Sequence, residues 1–402
     1  MRRLVVLIGA LAQLVALPAG AQDKHPKRPE LPAGADSNDA YAYHRLGLGS
    51  IQNDPEKAAA AFYWAARLNP TSAEDYYGRR TALLLRNPRM LMRYYRGDKG
   101  VVGSSEALAI DSLYLYALSL NPFLDPSLDH VILESVVSQM SDKGSVGERE
   151  SPREIAHDID VYLSQGTPEM RAGLAYRDGL YVDALHQYAL AIEQSHDKAP
   201  LLAERGRLFY QLGRADSAFG EITKALEIMR KQDKKDFVYL YESKALMEQR
   251  IAIIHHVMGD DSAAKEAFGR ALEEDLSYFP AHVQLGFLAL QHRDTATARS
   301  EMDLAVQIRP DDPGLRYQYG YTLGALHLLP QAEEQLKKAI ELDPDYAAPH
   351  FVLGQVSEAL DKLPAALQEY ELFLALSSRN DPRRAEALQV VETLKAAGSG
   401  AK

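Results

Sequence analysis

Residues 285–310 read LGFLALQHRDTATARSEMDLAVQIRP, and residues 319–344 read YGYTLGALHLLPQAEEQLKKAIELDP. Laid over each other at an offset of 34, the two stretches share Gly286 with Gly320, Ala298 with Ala332, Ala305 with Ala339 and Pro310 with Pro344, and match apolar residues at Met302 and Leu336. Working outward, the same register covers about 165–378 in six in-frame blocks. Gly179, Gly213 and Gly259 share one slot. Five residues on come Ala184, Ala218, Ala264, Ala298, Ala332 and Ala366. Four further stand Tyr188, Ile222, Phe268, Met302, Leu336 and Tyr370, and three further Ala191, Ala225, Ala271, Ala305 and Ala339. A fixed period of this length is the mark of stacked supersecondary units, not of an enzyme core. The five, four, three spacing puts small and bulky apolar residues on one stripe of a second helix. Upstream, Leu285-Gly286, Tyr319-Gly320 and Leu353-Gly354 mark a first helix. Glycine inside a helix costs roughly 1 kcal/mol against alanine, so its return at one slot points to a close helix crossing.

These residues resemble the tetratricopeptide repeat family, whose unit has Leu-Gly in helix A, Ala and an aromatic in helix B, then Ala and Pro; here Pro310 and Pro344 close two blocks. The resemblance implies an all-α, right-handed superhelical solenoid of helix–turn–helix repeats. Tyr43, Leu46-Gly47, Ala58, Phe62, Ala65 and Asn69-Pro70 form an earlier repeat with a shortened turn. Ser72 to Arg86 reads as the next helix A and Ser105 to Leu120 as its helix B, with 86–104 inserted between them. Asp129 to Met140 carries Val131, Ile132, Val136 and Val137 at helical spacing. A polar linker at 141–150 precedes a capping-box start at Ser151, Pro152 and Glu154. The expected organisation is therefore a flexible lead-in at 22–36, an N-terminal repeat segment at 37–140, the linker, a regular array at 151–378 and a capping helix and tail at 379–402. In that last helix Leu388, Val391 and Leu394 are expected inward, with Arg383, Arg384, Glu386, Glu392 and Lys395 outward. A solenoid needs such a cover for its final open face.

The start of the chain reads as an export signal. Arg2 and Arg3 precede an apolar run from Leu4 to Leu17, and Ala19-Gly20-Ala21 offers a cleavage site before Gln22. The run is shorter than the ~20 residues of a comfortable membrane span. A soluble periplasmic or extracellular protein is expected. With no cysteine among 402 residues, a lipoprotein anchor, disulfides and thiol chemistry are excluded. The net charge of −11, or −13 without Arg2 and Arg3, argues against a general nucleic-acid binder.

No H-E-x-x-H, phosphate-binding glycine loop or G-x-S-x-G occurs, and no cofactor or metal is expected. His255 and His256 are adjacent, so they diverge by about 100° on a helix and cannot grip one metal as an i, i+4 pair does. In register, His255 falls on the packed side and His256 on the groove side.

Two features point to partners. The resemblance implies a concave groove lined by A helices, in which family members hold peptides or helices. The slots facing it are Gln249, Ile253, His256, Val283, Phe287, Leu290, Gln291, Tyr317, Tyr321, Phe351 and Gln355. An exposed apolar and aromatic surface of this kind usually marks a partner site; the alternative is packing between repeats. The family's carboxylate clamp of Lys, Arg and Asn is missing from these slots, where Arg250 stands nearly alone. The second feature is a basic run: Arg79, Arg80, Arg86, Arg89, Arg93, Arg96 and Lys99, broken only by Asp98. Arg89, Arg93 and Arg96 fall on one helix face, with Leu91, Tyr94 and Tyr95 between them. Such a helix pairs with acidic ridges of its own chain, grips an anionic partner or rests weakly on an anionic membrane surface. The sequence thus reads as an exported binding scaffold. Its rivals are an envelope-assembly carrier docking through the basic insertion and an enzyme with its chemistry in the irregular 86–165 region.

Overall fold

The glycines of the A helices face the bulky residues of the B helices, and that contact sets the pairing. In the computed structural model, a Cβ placed on Gly320 falls 2.7 Å from Leu336, and one on Gly206 falls 2.7 Å from Ile222. On Gly354 it meets Tyr370 at 2.9 Å, and on Gly286 it meets Met302 at 3.0 Å. Phe62 fills the space above both Gly47 and Gly78. The alanine slots of the B helices are closed: Ala298, Ala332 and Ala366 are fully buried. The structure describes residues 25–95, 99–132, 135, 160–161, 163–232 and 243–400.

Among the described residues the secondary structure is helical throughout. Seven antiparallel pairs are formed: α1 (Ala40–Ser50) with α2 (Pro55–Leu68), α7 (Pro168–Arg177) with α8 (Tyr181–Gln194), α9 (Ala199–Gln211) with α10 (Ala215–Gln232), α11 (Lys244–Val257) with α12 (Asp261–Glu274), α13 (Phe279–Gln291) with α14 (Thr295–Ile308), α15 (Pro313–Ala325) with α16 (Leu329–Leu342), and α17 (Ala347–Ala359) with α18 (Leu363–Leu376). The remaining elements are α3 (Ala73–Arg86), α4 (Pro88–Tyr95), α5 (Lys99–Val102), α6 (Ser105–Leu120) and α19 (Arg384–Gly400). This is an all-α array of helix–turn–helix pairs, as the repeat period implied.

Local chemistry explains the boundaries. Asp54, Asp260, Asp294 and Asp312 each cap a helix by accepting a backbone N–H from the first turn. In the six pairs from α7 on, the A-to-B turn has one left-handed residue. Gly179, Gly213 and Gly259 supply it at φ 72°, 70° and 83°. In the last three pairs the same slot is taken by Arg293, His327 and Asp361 at φ 57°, 59° and 57°.

The chain forms two compact units. The first comprises residues 1–79 and 279–402, the second Arg80–Tyr278. This partition differs from the sequence expectation, which kept the N-terminal repeats together. The reason lies in long-range polar contacts within the first unit. Arg67 on α2 reaches Asp343 at 2.7 Å and Asp345 at 3.1 Å. Asn38 donates to the Ala375 carbonyl at 2.7 Å, and Arg379 donates to the Gly34 carbonyl at 3.1 Å. The expected flexible lead-in is also held in place from residue 25 on. Arg28 lies over the rings of Tyr43 and Trp64, 5.3 and 4.8 Å from their centroids, and the Trp64 indole donates to Pro26 O at 2.9 Å.

The capping helix α19 packs on α18, but its buried stripe is Ala387, Val391 and part of Leu394, while Leu388 is exposed. Arg383 and Arg384 turn inward. Arg384 donates to Leu374 O at 2.6 Å and to Ser377 Oγ at 2.8 Å, and Arg383 lies over Phe351 and Phe373. The open carbonyls at the end of α18 draw in the guanidinium, which shifts the register. The insertion 86–104 contains α4 and α5. The linker at 141–150 and the start at Ser151 lie outside the described residues, as do residues 1–24.

Candidate functional site

The A-helix slots singled out in the sequence divide into two columns. Gln249, Val283, Tyr317 and Phe351 recur at one register position. Gln249 is 1% exposed, Val283 6% and Phe351 5%. These three are corrections: they pack the protein's interior and do not present a binding surface. The Gln249 amide donates to Ser119 O at 3.4 Å while its oxygen accepts the Tyr278 hydroxyl. Phe351 sits against Tyr370 and Phe373, with ring centroids 5.8 and 5.1 Å away. Tyr317 is half-buried, edge-on to Tyr346 at 5.3 Å, and burial pushes its hydroxyl pKa up.

The second column is Ile253, Phe287, Tyr321 and Gln355. It lies one helical turn further along the same face and is less covered. Ile253 and Phe287 are half-buried, Tyr321 is 49% exposed, and Gln355 is exposed. Gln355 donates to Glu386 at 3.2 Å. Leu290 is half-buried and Gln291 exposed. Within the first unit, α13 neighbours α15 and α15 neighbours α17. That brings Phe287, Leu290, Tyr317 and Tyr321 onto adjoining helices. In the second unit His255 meets Phe219 edge-on at 4.9 Å, whereas His256 is exposed with Nδ1 2.6 Å from Asp261.

The basic run separates in a similar way. Arg80 is 5% exposed, 3.2 Å from Asp129, with its guanidinium 4.7 Å from the Tyr114 ring centroid. Arg79 is half-buried over Tyr63 at 4.6 Å. These two are engaged within the chain, so Arg80 in particular is corrected from an anion-facing residue to a buried partner of Asp129. Arg86, Arg89 and Arg93 are exposed. Arg86 ends α3, whereas Arg89 and Arg93 lie on α4, where Met90, Leu91 and Met92 are buried, so the apolar side of α4 is already covered by protein. Arg96 lies outside the described residues, and Lys99 opens α5.

One feature was missed in the sequence. The segment Ser119–Leu124 lies on the A helices of the second unit. Arg250 is 3% exposed and its Nε donates to Pro122 O at 2.8 Å. The Gln211 amide donates to Phe123 O at 3.5 Å, and the Phe123 ring stacks on Tyr210 at 3.7 Å. Beside them Arg207, 2% exposed, is paired with Glu204 at 2.7 Å and lies over Tyr176 at 4.8 Å. Burial works against the Glu204 carboxylate, yet the Arg207 guanidinium holds its pKa below the usual range. The one sequence signal for this seat was Arg250 standing alone among apolar slots.

No family model matches the chain. The human protein O-mannosyl-transferase TMTC1 is 24% identical over 193 residues, which is 47% of this chain and 20% of that protein, so the chain spans a small part of that relative's length. Among solved structures, the C-terminal part of a TPR repeat-containing protein from Cytophaga hutchinsonii is 18% identical. It covers 51% of this chain and 77% of its own, at a TM-score of 0.42. YrrB, described as a TPR protein with an unusual peptide-binding site, is 20% identical, covering 51% of this chain and 97% of its own at 0.39. MamA from Desulfovibrio magneticus is 20% identical, with 46% and 98% covered at 0.39.

Proposed function

We propose that this array of tetratricopeptide-type helix pairs is a binding scaffold that holds a segment of another protein on the A-helix face of its first unit. The observation that carries this reading is Tyr321, half-exposed on α15, with the half-buried Phe287 and Leu290 on the neighbouring helix α13, one turn along from the buried or half-buried slots of Val283, Tyr317 and Phe351. A large aromatic ring left open over a rigid, satisfied layer is what a hot spot requires. The chemistry is non-covalent: shape, apolar area and the polar rim of Gln291 and Gln355. Aromatic anchors of this kind cost about 2 kcal/mol or more when cut to alanine, roughly 30-fold in affinity. Tyr321→Ala and Phe287→Ala should therefore lose a co-purifying partner while keeping the melting temperature, and Gln355→Ala should retain it. A Tyr321→Ala protein that melts early yet holds its partner at full strength, corrected for folded fraction, overturns the reading.

Export is part of the proposal and rests on Arg2, Arg3, the run from Leu4 to Leu17 and Ala19-Gly20-Ala21. Among the described residues no helix is long and apolar enough to cross a membrane. N-terminal sequencing of the natural product should begin at Gln22, and a retained Met1 in a cytosolic fraction removes this part. A second reading, docking to an anionic surface, rests on the exposed Arg86 at the end of α3 and Arg89 and Arg93 on α4. With Met90, Leu91 and Met92 buried, such docking is electrostatic rather than insertional. Flotation with anionic vesicles that fails at low salt rules it out.

A further inference from the structure

The seat of Ser119–Leu124 on α9 and α11 has the make-up of a peptide site. Asn121 closes helix α6 and folds the chain into a tight turn: its side-chain oxygen accepts the Phe123 N–H at 3.0 Å, and its carbonyl accepts the Leu124 N–H at 3.1 Å. The turn presents Phe123, 5% exposed, to the face of Tyr210. Three side chains of the A helices then address the main chain. Arg250 takes the Pro122 carbonyl, Gln211 the Phe123 carbonyl and Gln249 the Ser119 carbonyl. These partners are 128, 88 and 130 residues away in sequence. The turn's buried carbonyls need donors, and here they take long polar side chains of the A helices, one of them a guanidinium that is costly to desolvate. Side chains that grip main-chain carbonyls, with one pocket for an aromatic ring, are how proteins hold peptides.

We infer that the α9–α11 face is a recognition surface for an Asn-Pro-Phe-Leu turn, which the chain's own residues 121–124 occupy as an internal ligand. A partner with the same turn competes for the seat, so the occupied form is the closed state of a second binding site. This rests on the reading that A-helix faces hold protein segments, but it concerns a different unit and different residues. The tethered turn acts at an effective concentration of roughly millimolar. A free peptide at micromolar concentration is therefore excluded from the unmodified chain.

The test uses the full chain and a fluorescent peptide spanning residues 118–126. Phe123→Ala in the chain should vacate the pocket and bind the peptide in saturable fashion, at least tenfold tighter than the unmodified protein. The same peptide with alanine for its phenylalanine should not bind. Adding Arg250→Gln, or separately Tyr210→Leu, should abolish capture, while adding Tyr321→Ala should leave it unchanged. A folded Phe123→Ala protein that ignores the peptide overturns the inference. Loss of cooperative melting in both Phe123→Ala and the milder Phe123→Leu also overturns it, because the turn is then part of the core. Capture that depends on Tyr321 and not on Arg250 assigns the peptide to the first unit, which keeps the scaffold reading and discards this one.

Discussion

The turn slot shared by all the regular pairs shows what a single residue contributes. Glycine enters the left-handed region without strain, whereas a β-carbon costs roughly 1–2 kcal/mol there. Arg293, His327 and Asp361 accept that cost at the position where Gly179, Gly213 and Gly259 avoid it. Arg293→Gly should raise the unfolding free energy read from denaturant titration by up to about 1 kcal/mol, the strain relieved less the extra freedom of the unfolded chain. Gly213→Ala should lower it by about 1 kcal/mol. Substitutions of the same sign at the two positions contradict the geometry. A second residue-scale outcome concerns pH. The hydrogen bond from His44 to buried Asp75, at 2.8 Å, raises the His44 pKa against the opposing effect of burial. A raised folded pKa stabilises fully below the unfolded value of about 6.5 and is lost as pH climbs through the folded one. His44→Gln should therefore destabilise the first unit at mildly acidic pH and much less in alkali. Thermal melts across that range read the difference, and a pH-independent deficit refutes the protonated pair.

At the scale of the helix pair, packing decides. Ala332 is fully buried where α16 meets its neighbours, whereas Ala396 is exposed on α19. Ala332→Leu should overpack the contact and cost on the order of 1–3 kcal/mol. Ala396→Leu should cost little. Equal shifts of the denaturation midpoint at the two sites mean that the register is wrong. This level of the structure was legible from the residues alone. The period of 34, the alanine slots and the Gly286–Met302 and Gly320–Leu336 pairs are local consequences of helix crossing. The binding face was only half legible. Val283 and Phe287 are both apolar and one turn apart, yet the first is buried and the second only half-buried. For Gln249 the covering group is Ser119, 130 residues away, which no local pattern encodes. The basic run failed for a related reason: Arg80 and Arg89 look alike in sequence, but only Arg80 has Asp129 and Tyr114 around it. Leu388 failed by a single register step, because Arg384 turned inward to meet carbonyls.

For the first unit as a whole, Arg67 and Asp343 matter most. Both are largely buried, with side chains 17% and 8% exposed, and burial pushes the Asp343 pKa up against the pull of Arg67. Removing one member of a buried pair leaves the other uncompensated and costs roughly 3 kcal/mol or more. Arg67→Met should therefore loosen α2 and α16 together. Hydrogen exchange checks this: protection should fall in both segments, 276 residues apart, while α13 and α14 keep theirs. Loosening confined to α2 contradicts the contact.

The same contact has a bearing on how the chain is made. An open solenoid forms each layer on the one just completed, since every unit touches only its neighbours. Here the first helix pair has its partner 276 residues downstream. At a synthesis rate of about 5–20 residues per second, Arg67 leaves the ribosome some 15–60 s before Asp343 exists. Throughout that interval Asn38, Arg67 and the α2 surface wait unanswered. Vectorial growth cannot finish this unit; it closes only when the last third of the polypeptide has been released, which sets a window during synthesis in which chaperones meet an incomplete protein.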